Sequence, residues 1–111
     1  MNKEHILKKN IDFQRIIRNN RPYKYKDYII YRENNNDSNY HFGFSVGKKI
    51  GTSVVRNRIK RQLRHIVAKK DYQNGFNCII IVNSNILNKS YHEMEQDLTS
   101  VLLKLGLTKE K

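Results

Sequence analysis

Apolar and polar positions along the first half of the chain predict one helix and two strands. Apolar side chains recur at helical spacing over about residues 10–19, where Phe13 and Ile17 share one face. Aromatic and β-branched residues then fill two short runs, 25–32 and 40–46, on either side of a polar loop rich in asparagine. This half of the chain therefore predicts helix, strand, loop and strand.

The second half predicts a helix, a strand and a last helix. Residues 54–69 keep a helical period without Gly or Pro, and residues 76–82 form a continuous apolar run typical of a central strand. A strand on each side of one helix implies a parallel pair across that helix. Ser90 and Glu93 form a capping box for the last helix, which ends near Gly106.

The strand at residues 40–46 has two unlike faces. Phe42 and Phe44 alternate with Gly43 and Ser45, so one face is apolar and the other is small. We expect the apolar face to lie in the core and the small face to be approachable.

Positive charge is concentrated in the middle of the chain. The sequence has 22 Lys and Arg against 10 Asp and Glu, a net charge of +12. Residues 38–70 contain nine of the basic side chains and no acidic one. Such a block projects a positive field that attracts polyanions, although a merely solubilising surface is the competing interpretation.

Length and composition predict one intracellular domain over residues 1–111. A chain with 38% apolar residues can fill a core of this size. A single cysteine, Cys78, excludes an internal disulfide framework and a cysteine-cluster zinc site. No apolar stretch approaches the roughly 20 residues of a membrane span, and the N-terminus lacks the apolar run of a secretory signal.

The helix at residues 54–69 divides into an apolar and a cationic side. At about 100° per residue, Val55, Ile59, Leu63 and Ile66 fall within one quadrant, which we expect to face the sheet. The polar side chains lie on the other side: Arg56, Asn57, Arg58, Lys60, Arg61, Arg64 and His65. Guanidinium groups match phosphate oxygens and stack on bases, so this surface suits nucleic acid.

The motif around this helix resembles the bacterial ribonuclease P protein subunit. The resemblance is carried by Phe42-Gly43-Phe44-Ser45-Val46-Gly47-Lys48-Lys49-Ile50-Gly51 and by Val55-Arg56-Asn57-Arg58-Ile59-Lys60-Arg61. Leu7-Lys8-Lys9-Asn10, Asp12-Phe13-Gln14 and the strand ending in Tyr31 also match, so the resemblance covers nearly the whole chain.

The resemblance implies an α+β two-layer sandwich of the ribosomal protein S5 domain 2-like type. Its mixed sheet of about four strands packs with three helices in the order α-β-β-(β)-α-β-α. The family protein joins a catalytic RNA in the bacterial cytoplasm and assists removal of the 5′ leader from precursor tRNA. The RNA performs the hydrolysis with Mg²⁺ that it mainly holds itself, and no organic cofactor, membrane or obligatory protein partner is implied.

The same resemblance implies two sets of binding residues and no catalytic or metal-binding residue in the protein. The RNA subunit would be met by Arg56, Asn57, Arg58, Lys60, Arg61 and Arg64. The leader of precursor tRNA would be met by Phe13, Ile17, Tyr31, Lys48 and Lys49. The family usually has an aromatic residue where Ile17 stands, so Ile17 offers apolar contact rather than stacking. For Phe13 and Tyr31, ordinary core packing is the competing interpretation.

Other interpretations stay open on the residues alone. The loop at residues 47–53 either contacts phosphate or simply forms a turn. A ribosomal or generic double-stranded RNA binder would use the same arginine surface without a leader cleft. A metal-dependent protein nuclease would need clustered carboxylates or a histidine pair. The four histidines are scattered, and the acidic residues from Glu93 to Asp97 suit the start of the last helix.

Overall fold

The computed structural model describes residues 1–109, which form three helices and a four-stranded mixed sheet. In chain order the elements are α1 (Asn10–Asn19), β1 (Tyr23–Tyr25), β2 (Tyr28–Asn34), β3 (Tyr40–Val46), α2 (Ser53–Val67), β4 (Phe76–Val82) and α3 (Tyr91–Lys104). Short 3₁₀ helices lie at Lys3–His5, Lys48–Ile50 and Ser84–Asn88. The predicted α+β class, with its mixed sheet and three helices, is confirmed.

The central strand is β4, as its continuous apolar run predicts. The strand order is β1-β2-β4-β3, with β4 antiparallel to β2 and parallel to β3. The parallel pair runs from Tyr40 opposite Phe76 to Val46 opposite Val82, with α2 as the connection between the strands. Cys78 and Ile80, on one side of β4, and Ile79, on the other, are all fully buried.

The sheet has helices on both faces. Phe42, Phe44 and Val46 lie in the main core with the buried faces of α2 and α3. Gly43 points the opposite way because successive strand residues alternate. The ring of Phe13 on α1 lies directly over Gly43, so α1 covers this second face. The small face predicted for β3 is therefore the face on which α1 packs.

The strand predicted over residues 25–32 is wrong in extent, because the structure has two strands there. A tight turn at Lys26, whose φ is +51°, separates β1 from β2. Asp97 of α3 holds this turn, since its carboxylate accepts hydrogen bonds from Lys26 (3.1 Å) and from the Tyr28 hydroxyl (3.0 Å). Lys89 also donates to Asp97. The turn thus depends on a contact with a distant part of the chain.

The predicted helix boundaries and caps are close to those observed. Thr52 caps the start of α2, where its hydroxyl oxygen accepts from the Val55 N–H at 3.4 Å. The capping box of Ser90 and Glu93 is present at the start of α3. Gly106 has φ +71° just beyond α3, a conformation that favours glycine.

The N-terminal segment adds a short pairing at the edge of the sheet. Ile6 pairs in parallel with Phe42, and the Leu7 N–H donates to the Phe42 carbonyl at 2.8 Å. This pairing places residues 1–9 beside β3 and ahead of α1. Across residues 1–109, no helix combines the length and apolarity needed to span a bilayer.

Candidate nucleic-acid interface

The apolar stripe of α2 fixes which side of the helix faces solvent. Ile59, Leu63, Ile66 and Val67 are each at most 3% exposed and belong to the main core. Burying four such side chains stabilises the docked helix by several kcal/mol, at roughly 1.5–3 kcal/mol for each. The cationic side is therefore held outward, as the helical spacing predicts.

The outward side of α2 forms a cationic surface that we call the arginine surface. Its members are exposed or half-buried: Arg56, Asn57, Arg58, Lys60, Arg61, Arg64 and His65. Among residues 1–109, no carboxylate forms an ion pair with Lys60 or with any arginine of this surface. Because α2 itself contains no acidic residue, the charge of this surface is left uncompensated.

Arg56 and His65 mark the two ends of the arginine surface and have partners within the protein. The Arg56 guanidinium donates to the Gly51 carbonyl (3.2 Å) and to the Ser53 hydroxyl (3.3 Å). The His65 ring nitrogen lies 2.7 Å from the hydroxyl of Tyr91 on α3. The middle of the surface, with Arg58 and Arg61 exposed, is the part with the most free donors.

A cleft of about 690 Å³ lies beside this helix, between the N-terminal segment, α1, β3 and α2. Phe13 and Ile17 of α1 line one wall, and Ser45 lies on the floor. A Cβ atom on Gly43 would come within 2.5 Å of the Phe13 ring, so only glycine leaves room for the ring in this position. The full lining is Met1, Lys3, Ile6, Leu7, Lys8, Asn10, Phe13, Ile17, Phe44, Ser45, Val46, Lys60 and Arg64.

Lys60 and Arg64 belong to this cleft as well as to the arginine surface. Both are contributed by α2, whereas Phe13 is contributed by α1. The Nε atom of Arg64 is buried and has no hydrogen-bond partner among the described residues. The lining contains four cationic side chains and no carboxylate, so the cleft combines apolar contact with positive charge.

Three other residues that the resemblance assigns to the leader lie outside the cleft lining. Tyr31 is half-buried on β2, on the face that α1 covers, in register with Ile79 and through it with Gly43. Lys48 and Lys49 are exposed in the 3₁₀ helix between β3 and α2. The cleft thus contains Phe13 and Ile17 together with Lys60 and Arg64. Tyr31, Lys48 and Lys49 lie outside its lining.

A polar clamp that the sequence analysis missed holds α1 on the sheet. Arg15 of α1 forms ion pairs with Asp12 (2.8 Å) and with Glu33 of β2 (3.1 Å). Asn77 of β4 donates to the same Glu33 carboxylate at 2.9 Å. The hydrogen bond from Arg15 holds the pKa of Glu33 below its usual value. The pattern of charges along the chain does not predict this clamp, because its members lie on three separate elements.

The remaining acidic side chains near α3 have structural partners. Glu93 closes the capping box, and Glu95 pairs with Lys69 at 2.8 Å. Burial opposes ionisation of Asp97, but its hydrogen bonds from Lys89, Lys26 and Tyr28 still hold its pKa below the usual value. Burial raises the pKa of the Cys78 thiol. Over residues 1–109, no three His, Cys, Asp or Glu side chains come together as a metal site would require.

Known proteins are similar to this chain in sequence. A family model described as Ribonuclease P matches residues 1–106. The ribonuclease P protein component of Mycoplasma mycoides is 36% identical over 105 residues, covering 92% of this chain and 96% of the relative. That of Lactococcus lactis is 36% identical over 101 residues, covering 90% and 86%.

Solved structures of ribonuclease P proteins have the same fold as this chain. The RNase P protein of Staphylococcus aureus superposes with a TM-score of 0.84 at 29% identity, covering 95% of this chain and 98% of that one. The RNase P protein of Thermotoga maritima, at 19% identity, shares the fold with a TM-score of 0.79 and covers 88% and 94%.

The fold and the site define a class of small, basic α+β proteins in which an arginine-bearing helix lies beside an apolar cleft. The two sequence relatives described above are both ribonuclease P protein components. The chain belongs to the ribonuclease P protein family. With that family it takes part in tRNA processing by an endoribonuclease that contains RNA, and the family resemblance drawn from the sequence is confirmed.

Proposed function

We propose that the chain binds the catalytic RNA subunit of ribonuclease P through the arginine surface and the single-stranded 5′ leader of precursor tRNA in the cleft. By doing so it assists endonucleolytic removal of the leader, which creates the mature 5′ end. The observation that carries this proposal is the juxtaposition of two unlike binding surfaces on the two sides of Lys60 and Arg64.

Charge and shape support the arginine surface as the site for the RNA subunit. Arg58 and Arg61 are exposed on a convex helix, and no carboxylate among residues 1–109 neutralises them. Planar guanidinium groups bind phosphate oxygens through two parallel hydrogen bonds. Each phosphate contact releases about one counterion, so such binding weakens steeply with salt.

The cleft supports binding of a single strand rather than a duplex. Its wall offers the ring of Phe13 and the apolar side chain of Ile17, and its rim offers Lys60 and Arg64. Proteins that bind single strands combine base-stacking aromatic rings with a cationic groove, and each stacked base contributes about 1–3 kcal/mol. The guanidinium group of Arg64, which lines the cleft, is a suitable donor for a phosphate oxygen there.

In this proposal the RNA subunit carries out the hydrolysis, with Mg²⁺ held mainly by RNA. The carboxylates of Glu93, Glu95 and Asp97 already serve a helix cap and ion pairs in the protein. The proposed partners are the catalytic RNA and precursor tRNA, without an organic cofactor or an obligatory protein partner, and the proposed compartment is the bacterial cytoplasm.

A general binder of double-stranded RNA is the second candidate, because the arginine surface alone fits it equally well. The two candidates differ in the cleft, which a duplex has no reason to enter. Leader dependence is therefore the property that separates them.

The test uses the protein reconstituted with a bacterial ribonuclease P RNA. Phe13→Ala is expected to weaken binding of precursor tRNA about fivefold or more, from the loss of one stacked base, and to leave mature tRNA unchanged. Ile11→Ala is the matched control, because Ile11 lies on the same helix but is 70% exposed and outside the cleft. Equal losses for precursor and mature tRNA would contradict the leader assignment.

A further inference from the structure

A row of side chains leads from the floor of the cleft across the whole sheet to its far edge. Ser45 of β3 pairs with Ile81 of β4, Ile81 pairs with Ile29 of β2, and Ile29 pairs with Lys24 of β1. Paired residues lie on the same side of a sheet, so all four side chains share the face on which α1 packs. This row is the one next to the row of Gly43 and Ile79, where Phe13 lies.

The row is partly open to solvent. Ser45, Ile81 and Ile29 are half-buried, and Lys24 is exposed. It therefore offers a shallow apolar floor that begins in the cleft and ends at a cation. Apolar side chains provide contact surface for the faces of bases, as they do in pockets that hold a flipped base.

Lys24 has no competing partner at the end of this floor. It forms no ion pair or hydrogen bond to a side chain within residues 1–109. Residues 13–26 contain no acidic side chain, and the next carboxylate along the chain, Asp27, is paired with Lys89 at 3.1 Å. Lys24 is thus available for a phosphate.

We infer that the leader track extends from the cleft over Ile81 and Ile29, and that Lys24 binds a backbone phosphate of the leader upstream of the nucleotides held at Phe13. This inference rests on the proposed function and adds a binding residue to it. Three strand spacings of about 4.8 Å separate Ser45 from Lys24, roughly 14 Å. Bases that lie on the floor are spaced further apart than the roughly 3.4 Å of a stacked strand, so that distance corresponds to at most about four further nucleotides.

An edge strand offers another explanation for Lys24, because lysine on an edge discourages pairing with a second sheet. Glutamate at the same position would keep a charged side chain on the edge but would repel a phosphate. Lys24→Glu therefore separates the two explanations, while Lys24→Gln measures the loss of the positive charge alone.

Lys104 provides a matched control on the other face of the same edge. Its ammonium group lies 4.9 Å from the ring of Tyr25, whose neighbour across the strands is the core residue Tyr28. Lys104→Gln removes the same charge from the same edge without touching the row that leads to the cleft.

The experiment measures equilibrium binding of precursor tRNAs whose leaders are lengthened one nucleotide at a time, using the holoenzyme reconstituted with a bacterial ribonuclease P RNA. With the unaltered chain, affinity is expected to rise by roughly two- to fivefold once the leader reaches Lys24, as for an exposed charge contact. Lys24→Gln is expected to remove this rise in affinity, and Lys24→Glu is expected to turn it into a fall. Lys104→Gln is expected to preserve the rise. Precursor tRNAs with short leaders are expected to bind the unaltered chain and these three variants equally.

Two results would overturn the inference: Lys24→Glu keeps the rise, or Lys104→Gln loses it to the same extent. Phe13→Ala with the shorter leaders is measured alongside, because it reports on the proposed function itself. If Phe13→Ala weakens binding of short leaders and Lys24→Glu does not affect long ones, the cleft stands and the extended track is wrong. If Phe13→Ala also has no effect specific to the leader, the proposed function fails as well.

Discussion

Gly43→Ala is a single-methyl change that should disturb the cleft without touching the arginine surface. The added Cβ would lie 2.5 Å from the tip of the Phe13 ring, whereas ordinary contact begins at about 3.4 Å. The ring must therefore move outward by roughly 1 Å, since the β3 backbone beneath it is held on one side by β4 and on the other by the N-terminal segment.

The size of the effect follows from this displacement. A gap of about 0.5–1 Å forfeits a quarter to a half of the dispersion attraction between surfaces. Applied to a stacked base that contributes about 1–3 kcal/mol, the loss is about 0.3–1.5 kcal/mol, or roughly a two- to twelvefold weaker binding of precursor tRNA. The expected cost in folding stability is about 1 kcal/mol, because the half-buried ring has room to shift.

The assay compares precursor and mature tRNA binding by the reconstituted holoenzyme for Gly43→Ala and for Gly47→Ala. Gly47 is the matched control, because a Cβ there meets nothing within 4 Å and its φ of −69° suits alanine. In a Phe13→Ala background, Gly43→Ala is expected to have no further effect on leader binding. If Gly43→Ala and Gly47→Ala bind precursor tRNA equally well, the Phe13 ring is not a leader contact.

Three further predictions concern the fold and the cleft. Asp97→Asn should lower the free energy of unfolding in urea by about 2 kcal/mol, because Lys89 then keeps only Asp27 as a counterion and the Tyr28 hydroxyl loses a charged acceptor; a change below about 0.5 kcal/mol would contradict this. Since the folded-state pKa of Asp97 is depressed, its stabilisation is present above about pH 4 and is lost as pH falls further, so urea unfolding of the variant should depend less on pH in that range. Ser90→Ala should cost about 1 kcal/mol in the same assay through loss of the capping box, and no loss would refute the cap's role. Ile17→Phe should tighten binding of precursor tRNA about fivefold by adding a stacking ring, with mature tRNA unchanged, and weaker binding would show that the wall has no room for the ring.

The arginine surface was predictable because its determinants are local. Helical spacing assigns Ile59 and Leu63 to one side and Arg58 and Arg61 to the other, and the structure buries the first pair and exposes the second. The parallel pairing of β3 with β4 was equally predictable, since one helix connects two apolar strands and no short turn can join a parallel pair.

Lys60 and Arg64 belong both to the arginine surface and to the cleft, and this was not predictable from the sequence of α2 alone. Helical angles define a direction about the helix axis, but they do not say which neighbouring element lies in that direction. The cleft exists because Arg15 clamps α1 to Glu33 and because the N-terminal segment pairs with Phe42. Both contacts join elements far apart in the sequence.

The turn between β1 and β2 was likewise not predictable from the nearby sequence, because it depends on a contact with a distant residue. The sequence signal for a turn at Lys26 is weak, because Asp27 favours turns but the tyrosines on either side favour a continuous strand. The turn is stabilised by Asp97, which lies 71 residues further along the chain. Lys24 owes its place on the cleft side of the sheet to the register that follows from this turn.

The salt dependence of binding to the catalytic RNA subunit decides whether the arginine surface is the contact with that RNA, as we propose. Affinity for the RNA subunit is measured over a range of salt concentrations for the unaltered chain, for Arg58→Ala with Arg61→Ala, and for Lys104→Ala with Lys109→Ala, which removes equal charge outside the arginine surface. The arginine variant is expected to bind more weakly, with a slope of log affinity against log salt that is shallower by about two, while the lysine variant keeps nearly the original slope. Identical slopes for the two variants would contradict the claim.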